Sequence, residues 1–256
     1  MPQGPLTDPA ALGKRTLDAG EVDRFARSAG QWWDHKGEFR TLHQIGPARL
    51  AFLRSEMERH FALAPRALRP LAGLKVLDVG CGGGLVSEPL ARLGAQVTGL
   101  DPAVENIETA RRHAAAQGLN VDYRTGRVEE LAALRSQFDA LVCFEVIEHV
   151  PDVPAFLAAA AALLRPGGLL LLSTINRTLK AYLLAIVGAE YVLRWLPVGT
   201  HRWERFVTPA ELASHLAAAG LGRPICQGLI YSPLADDWSI GRDTDVNYFA
   251  SAAKPA

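Results

Sequence analysis

An α/β domain built on a mostly parallel sheet is the architecture that these 256 residues predict. Between residues 75 and 173, short apolar runs alternate with segments of helical periodicity, the pattern of repeated βαβ units. One strand also runs straight into a glycine cluster, Gly-Cys-Gly-Gly-Gly at 80–84, from which a helix departs. The length suits one large domain, because α/β folds extend to about 250 residues.

Along the chain, residues 1–20 read as a flexible tail and 21–256 as one domain. Helical spacing over Val22–Asp34 and Pro47–Phe61 predicts two helices that cap the sheet from the N-terminal side. Lys75–Val79, Gln96–Leu100, Asn120–Arg124, Phe138–Phe144 and Leu169–Ser173 are expected as strands. Leu85–Leu93, Val104–Ala116 and Pro154–Leu164 are the intervening helices, the last stopped by Pro166-Gly167-Gly168. Pro209–Ala219 then forms a helix, and Cys226–Tyr231 with Asn247–Ala250 a hairpin at the sheet edge.

Composition narrows the function. Hydrophobic residues make up 49% and charged residues 21%, which excludes a disordered or collagen-like chain. Lys plus Arg equals Asp plus Glu at 27, so no net charge draws the chain to nucleic acid. The three cysteines, Cys81, Cys143 and Cys226, are widely spaced and supply neither a disulfide framework nor a metal pair. The N-terminus does not read as a secretory signal, and the apolar run Ala181–Ala189 is far shorter than the ~20 residues that span a bilayer. A cytoplasmic location is expected.

The chemistry gathers at two strand ends. In Lys-Val-Leu-Asp-Val-Gly-Cys-Gly-Gly-Gly, glycine lets the backbone turn sharply and approach a ligand without a Cβ in the way. The next strand ends at Asp101, whose carboxylate can accept hydrogen bonds from both hydroxyls of a ribose. Leu85 stands where a strict dinucleotide motif would place its third glycine, and no Gly-Lys-Ser/Thr follows, so a nucleoside fits better than a pyrophosphate. Glu145, Glu148 and His149 follow the fourth strand with spacings of three and four, which brings them to one side of a turn at the ligand-binding edge. Two carboxylates and an imidazole suit a divalent cation; a solvated turn in which His149 caps or orients a neighbour uses the same residues.

The glycine loop and Asp101 resemble those of the class I methyltransferases, which bind S-adenosylmethionine. The segments FARSAGQWWD, GEFRTLHQIGPARL, LDVGCGGGLVSEPLARLGAQVTGLD, CFEVIEHVPD, LRPGGLLLLSTINR, VGAEYVLRWLPVGTH and TDVNYF are similar to the ubiquinone-biosynthesis O-methyltransferase family over roughly residues 22–252. That resemblance implies a Rossmann-like sheet of seven strands with the last antiparallel. It implies cofactor contacts by Arg49, Gly80, Gly82, Asp101 and Phe144, with Arg49 at the methionyl carboxylate. A guanidinium suits that role because it offers paired, permanently charged donors. Phe144 departs from family members that carry Met there, and Arg127-Val128 supplies no acid for an adenine amino group.

The resemblance further implies a magnesium site on Glu145, Glu148 and His149, although an imidazole also admits Mn²⁺, Fe²⁺ or Zn²⁺. The expected activity is methylation of phenolic hydroxyls of a polyprenylated catechol or demethylubiquinol, with either the cation or a base among Glu145, Glu148 and His149 activating the oxygen. The insertion at 176–208 carries an apolar body flanked by basic and aromatic residues. It reads equally as a lid or as a membrane-interface contact through 177–197, placing the enzyme at the periphery of the inner membrane. His201, Trp203 and Phe206 are candidates for the substrate mouth. Other proteins of ubiquinone biosynthesis are expected partners.

Overall fold

The computed structural model describes residues 16–64, 67–134, 137–186 and 202–256. Its strands are β1 (Lys75–Val79), β2 (Gln96–Asp101), β3 (Asp122–Thr125), β4 (Phe138–Phe144), β5 (Leu164–Ile175), β6 (Ile225–Ser232), β7 (Asp237–Gly241) and β8 (Asn247–Ala253). They form one sheet in the order β3-β2-β1-β4-β5-β8-β6-β7. The first five are mutually parallel, β8 runs antiparallel to both β5 and β6, and β7 pairs antiparallel with β6. The described helices are α1 (Ala19–Arg27), α2 (Arg40–Gln44), α3 (Gly46–His60), α4 (Ser87–Arg92), α5 (Val104–Ala116), α6 (Val128–Ala133), α7 (Val153–Leu163), α8 (Leu179–Ala181) and α9 (Pro209–Ala218).

The central strands are apolar on both faces because both faces are covered, and all seven residues of β4 are buried. Leu77, Leu141 and Leu172 point to a layer completed by Leu157 and Leu163 of α7 and Leu212 of α9. Val76, Val142 and Leu171 point the opposite way, onto Phe52, Leu53 and Met57 of α3. The N-terminal helices expected as a cap are present, with one difference. The helix expected over 22–34 ends at Arg27 and gives way to a short 3-10 turn, Ala29–Gln31, which delivers Trp32 and Trp33 toward the sheet edge.

Among the described residues, eight strands are present where seven were expected. The extra one, β7, is a half-buried edge strand of five residues, Asp-Trp-Ser-Ile-Gly, whose polar and apolar residues alternate too briefly to stand out. The segments expected as a hairpin do pair, Cys226 with Ala250 and Leu229 with Asn247, but β7 is interposed between them in the chain. Helix α7 stops at Leu163, before Pro166, and the Pro-Gly-Gly segment lies inside β5, where the register shifts from Phe138–Leu164 to Ala140–Leu169. The tail boundary also moves, since α1 begins at Ala19, capped by the Asp18 carboxylate accepting from Gly20 N–H at 3.1 Å. Residues 1–15 and 187–201, which hold most of the tail and much of the insertion, lie outside the described residues.

Leu157 is fully buried between α7 and the sheet. Leu157→Ala should cost ~2–5 kcal/mol in denaturant unfolding, through lost transfer energy and a cavity. Thr208→Ala, which removes the α9 capping box with Glu211, should cost only about 1 kcal/mol.

Candidate active site

The loop after β1 needs glycine on two counts. Gly80, Gly82 and Gly84 have φ of +69°, +52° and +93°, a region costly for side-chain-bearing residues. A Cβ would also collide with Val146 Cγ2 if added at Gly80, with the Trp32 ring if added at Gly82, and with the Tyr123 hydroxyl if added at Gly84. Gly80 and Cys81 both donate their N–H groups to Leu100 O, which ties the loop to β2.

Asp101 ends β2 beside that loop. Its carboxylate accepts from Gly82 N–H at 3.0 Å, Ala103 N–H at 2.9 Å and Asn106 Nδ2 at 3.1 Å. Burial raises its pKa and those three bonds oppose the rise. Asn106 Oδ1 in turn accepts from Trp32 Nε1 at 2.8 Å, and Trp32 stacks flat on Phe39. Trp33 donates to Gly83 O at 3.0 Å and stacks on His113. The N-terminal segment is thereby fastened onto the glycine loop.

Arg49, on α3, is only 5% exposed and lies 3.7 Å from Glu145 Oε1, with its guanidinium carbon 5.9 Å from the Phe144 ring centroid. Burial lowers its pKa, and the carboxylates of Glu145, Asp78 and Glu148 counter that. Glu145 itself has φ +54°, an unusual conformation for a residue with a side chain, held by its N–H donating to Ser173 Oγ at 3.1 Å. Ser173 Oγ donates back to Glu145 Oε1 at 2.5 Å. Burial pushes Asp78 to about 7, with Ser87 Oγ donating to it at 2.6 Å. Glu148 rises to about 8, through burial first and the Glu145 charge second, with Thr174 Oγ1 donating to one of its oxygens at 2.9 Å. His149 Nδ1 is 3.1 Å from Glu21 Oε2, and its ring meets Phe25 edge-on.

All eight predicted site residues line one cavity of about 760 Å³. It is within the range of roughly 300–1,000 Å³ typical of small-molecule sites. The predicted metal ligands, however, are drawn apart: Glu145 to Arg49 and Ser173, Glu148 to Thr174, His149 to Glu21. Among the described residues, no three His, Cys, Asp or Glu side chains gather as a cation requires. As placed, these residues do not fit a metal.

Several lining residues escaped the sequence reading. Asn106 and Trp32 reach the site from 74 positions apart, a pairing no local pattern signals. An acid does stand near Arg127-Val128: Glu129 is buried in the cavity wall, where Thr16 Oγ1 donates to it at 2.5 Å. Of the mouth candidates, Phe206 is core and Trp203 donates to Thr178 O at 3.3 Å, both away from the cavity lining, and His201 lies outside the described residues.

The raised carboxyls give stability a pH dependence. Folded Glu148 holds its proton up to about 8, whereas an unfolded Glu loses it near 4.5, so stability falls as pH rises between those values. Chemical unfolding of the ligand-free protein at pH 5, 6.5 and 8 should show that decline, and Glu148→Gln should remove Glu148's share of it and leave the part due to Asp78.

A methyltransferase-domain profile matches residues 49–222. The ubiquinone biosynthesis O-methyltransferase of Azorhizobium caulinodans is 53% identical over 94% of this chain and 95% of its own length. That of Brucella anthropi is 51% identical over 95% of this chain and 98% of its own. Among solved structures, the magnesium protoporphyrin IX methyltransferase of Synechocystis with bound SAH superposes with a TM-score of 0.61 at 20% identity, over 92% of this chain and 94% of that one. A SAM-dependent methyltransferase from Thermotoga maritima gives 0.61 at 17% identity, over 93% of this chain and 100% of that one. These two likenesses confirm the methyltransferase fold, while the identity shared with the two curated relatives goes further: the chain belongs to the ubiquinone biosynthesis O-methyltransferases.

Proposed function

We propose that the chain transfers the methyl group of S-adenosylmethionine to a phenolic oxygen of a polyprenylated catechol or demethylubiquinol. The observation that carries this reading is the continuity of one cavity from Asp101 and the glycine loop, past Arg49, to the acidic turn. Asp101 suits the ribose hydroxyls and Arg49 the methionyl carboxylate. With Asp78 near 7 and Glu148 near 8, much of the acid facing Arg49 is protonated at neutral pH, which leaves its charge available to an incoming carboxylate.

In the transfer, the phenolic oxygen forms a bond to the methyl carbon as the carbon–sulfur bond breaks, the sulfonium becomes a neutral thioether, and the phenol gives up its proton. A phenol of pKa ~10 is ionised at about one part in a thousand at pH 7, a deficit worth roughly 4 kcal/mol. Glu148 in its ionised form, a minority at pH 7, is the candidate acceptor: its pKa of about 8 narrows the gap to the phenol, its Oε1 is buried without a hydrogen-bond partner at the cavity wall, and turnover should rise with pH toward 8. Glu145, fixed by Ser173, supports the charge on that side. His149 is the second candidate for the proton, through its contact with Glu21.

The prenyl tail suits the edge of the cavity near Leu184, where Leu179, Tyr182 and Leu183 expose apolar side chains. Contact of this edge with a membrane surface is part of the proposal, and liposome flotation with neutral and anionic lipid tests it. No described helix is long and apolar enough to cross a membrane. The residues that carried most of the sequence expectation, 187–201, lie outside the described residues.

Methyl transfer to a short-chain prenylated catechol, followed by mass spectrometry, tests the activity. Asp101→Ala should weaken S-adenosylmethionine binding by ~10–100-fold, the value of hydrogen bonds to a charged acceptor. Glu148→Gln should lower kcat by ~10²–10⁴-fold with cofactor affinity nearly unchanged, the range for removing a general base. Repeating the assay after chelation and again with Mg²⁺ separates the two roles: sustained turnover supports proton transfer to Glu148, and loss restored by Mg²⁺ would require His149 and the carboxylates to regroup around a cation.

A further inference from the structure

Among the described residues, the buried polar atoms of the cavity lining without a hydrogen-bond partner include Arg49 Nε, Glu148 Oε1, Trp238 Nε1 and Asn247 Oδ1. The first two belong to the cofactor end and the acidic turn. The other two come from β7 and β8 and have no part in the chemistry described so far.

Sheet register places them on one face, on strands separated by β6. Asn247 opens β8 opposite Ile175, the last residue of β5, and opposite Leu229 of β6. Ile240 of β7 also pairs with Leu229, and Trp238 stands two residues before Ile240. Directly opposed residues of antiparallel strands share a face, as do residues two apart, so Asn247 and Trp238 lie on the same side of the sheet. That side carries Leu229, Phe249 and Phe144, packed under α3, the helix that bears Arg49. The pair therefore sits in an otherwise apolar wall at the C-terminal end of β5, where ligands of open α/β sheets bind.

A buried donor or acceptor left unsatisfied costs ~1–3 kcal/mol, so an unpartnered indole N–H and amide oxygen on residues that line one cavity specify what should fill it. The N–H requires an acceptor and the amide oxygen requires a donor. A flat ring with a hydroxyl beside its reacting oxygen supplies both from that one group, which accepts and donates at once, and keeps its apolar faces against Phe144 and Tyr231. Neither Trp238 nor Asn247 can take up a proton at neutral pH, so the hydroxyl they hold is not the one activated for transfer.

We propose that Trp238 and Asn247 select the acceptor ring by its second hydroxyl, the neighbour of the oxygen that is methylated, the indole N–H donating to that hydroxyl's oxygen and Asn247 Oδ1 accepting its O–H. This deepens the function proposed above and rests on it. The two residues are specificity determinants, and a ring with a single hydroxyl forfeits their contacts.

The test compares a short-chain prenylated catechol with the matching prenylated monophenol, using the full-length enzyme at saturating S-adenosylmethionine. Trp238→Phe removes the N–H and keeps the aromatic surface; Asn247→Leu removes the amide and keeps the volume. Each should reduce the catechol-over-monophenol ratio of kcat/KM by ~10-fold, chiefly through KM, the worth of one buried hydrogen bond. Cofactor affinity should stay within twofold, and Asn247→Asp, which keeps an acceptor, should recover part of the ratio lost in Asn247→Leu. Calorimetric binding of the catechol with S-adenosylhomocysteine present gives the same comparison without turnover. Ratios unchanged in both variants, or a fall in parallel for both substrates, would overturn the role of these residues while leaving the methyltransferase reading intact. A wild-type enzyme that binds the cofactor yet neither binds nor methylates any prenylated phenol would overturn both.

Discussion

The Asp101 carboxylate is the joint on which the site depends. It is buried at the end of β2, accepts the Gly82 N–H across the gap between neighbouring strands, and reaches Trp32 through Asn106. The sheet, the glycine loop and the N-terminal cap are thus fastened at one point. Such a carboxylate is tolerated in a dry setting only because three donors offset its desolvation, and the same donors fix where its oxygens point. The ligand that competes for those oxygens must therefore bring hydroxyl donors of its own.

A second constraint runs along the opposite wall, where burial has been used to alter acidity. Asp78 and Glu148 are carried to about 7 and 8 by loss of water, and Arg49 is the cation they share with Glu145. The cluster trades folding stability near neutral pH for groups that exchange protons in the range a phenol needs. The strained backbone of Glu145 belongs to the same arrangement, since Ser173 holds both its N–H and its carboxylate.

Much of this was legible in the sequence because the informative features are local. Four of the five parallel strands show as apolar runs, β3 with its sequence Asp-Tyr-Arg-Thr being the exception, and Gly80, Gly82 and Asp101 fall at strand ends set by that pattern. Glu145, Glu148 and His149 share a turn and were found by spacing; the structure keeps them on one cavity but gives each a different partner. What escaped was non-local or weakly patterned. The Trp32–Asn106 bond spans 74 positions, the Thr16–Glu129 bond 113, and β7 is too short and too exposed for its alternation to register. Trp238 and Asn247 escaped for the same reason, since only the added edge strand shows that they share a face.

The structure of the enzyme with S-adenosylhomocysteine and a short-chain prenylated catechol is the most direct test of a single cavity serving both partners. The ribose hydroxyls should lie on Asp101, the amino-acid carboxylate on Arg49, and the ring between Glu148 and the Trp238–Asn247 wall. A cofactor that leaves Asp101 and Arg49 untouched, or a ring bound away from Glu148, would contradict this assignment.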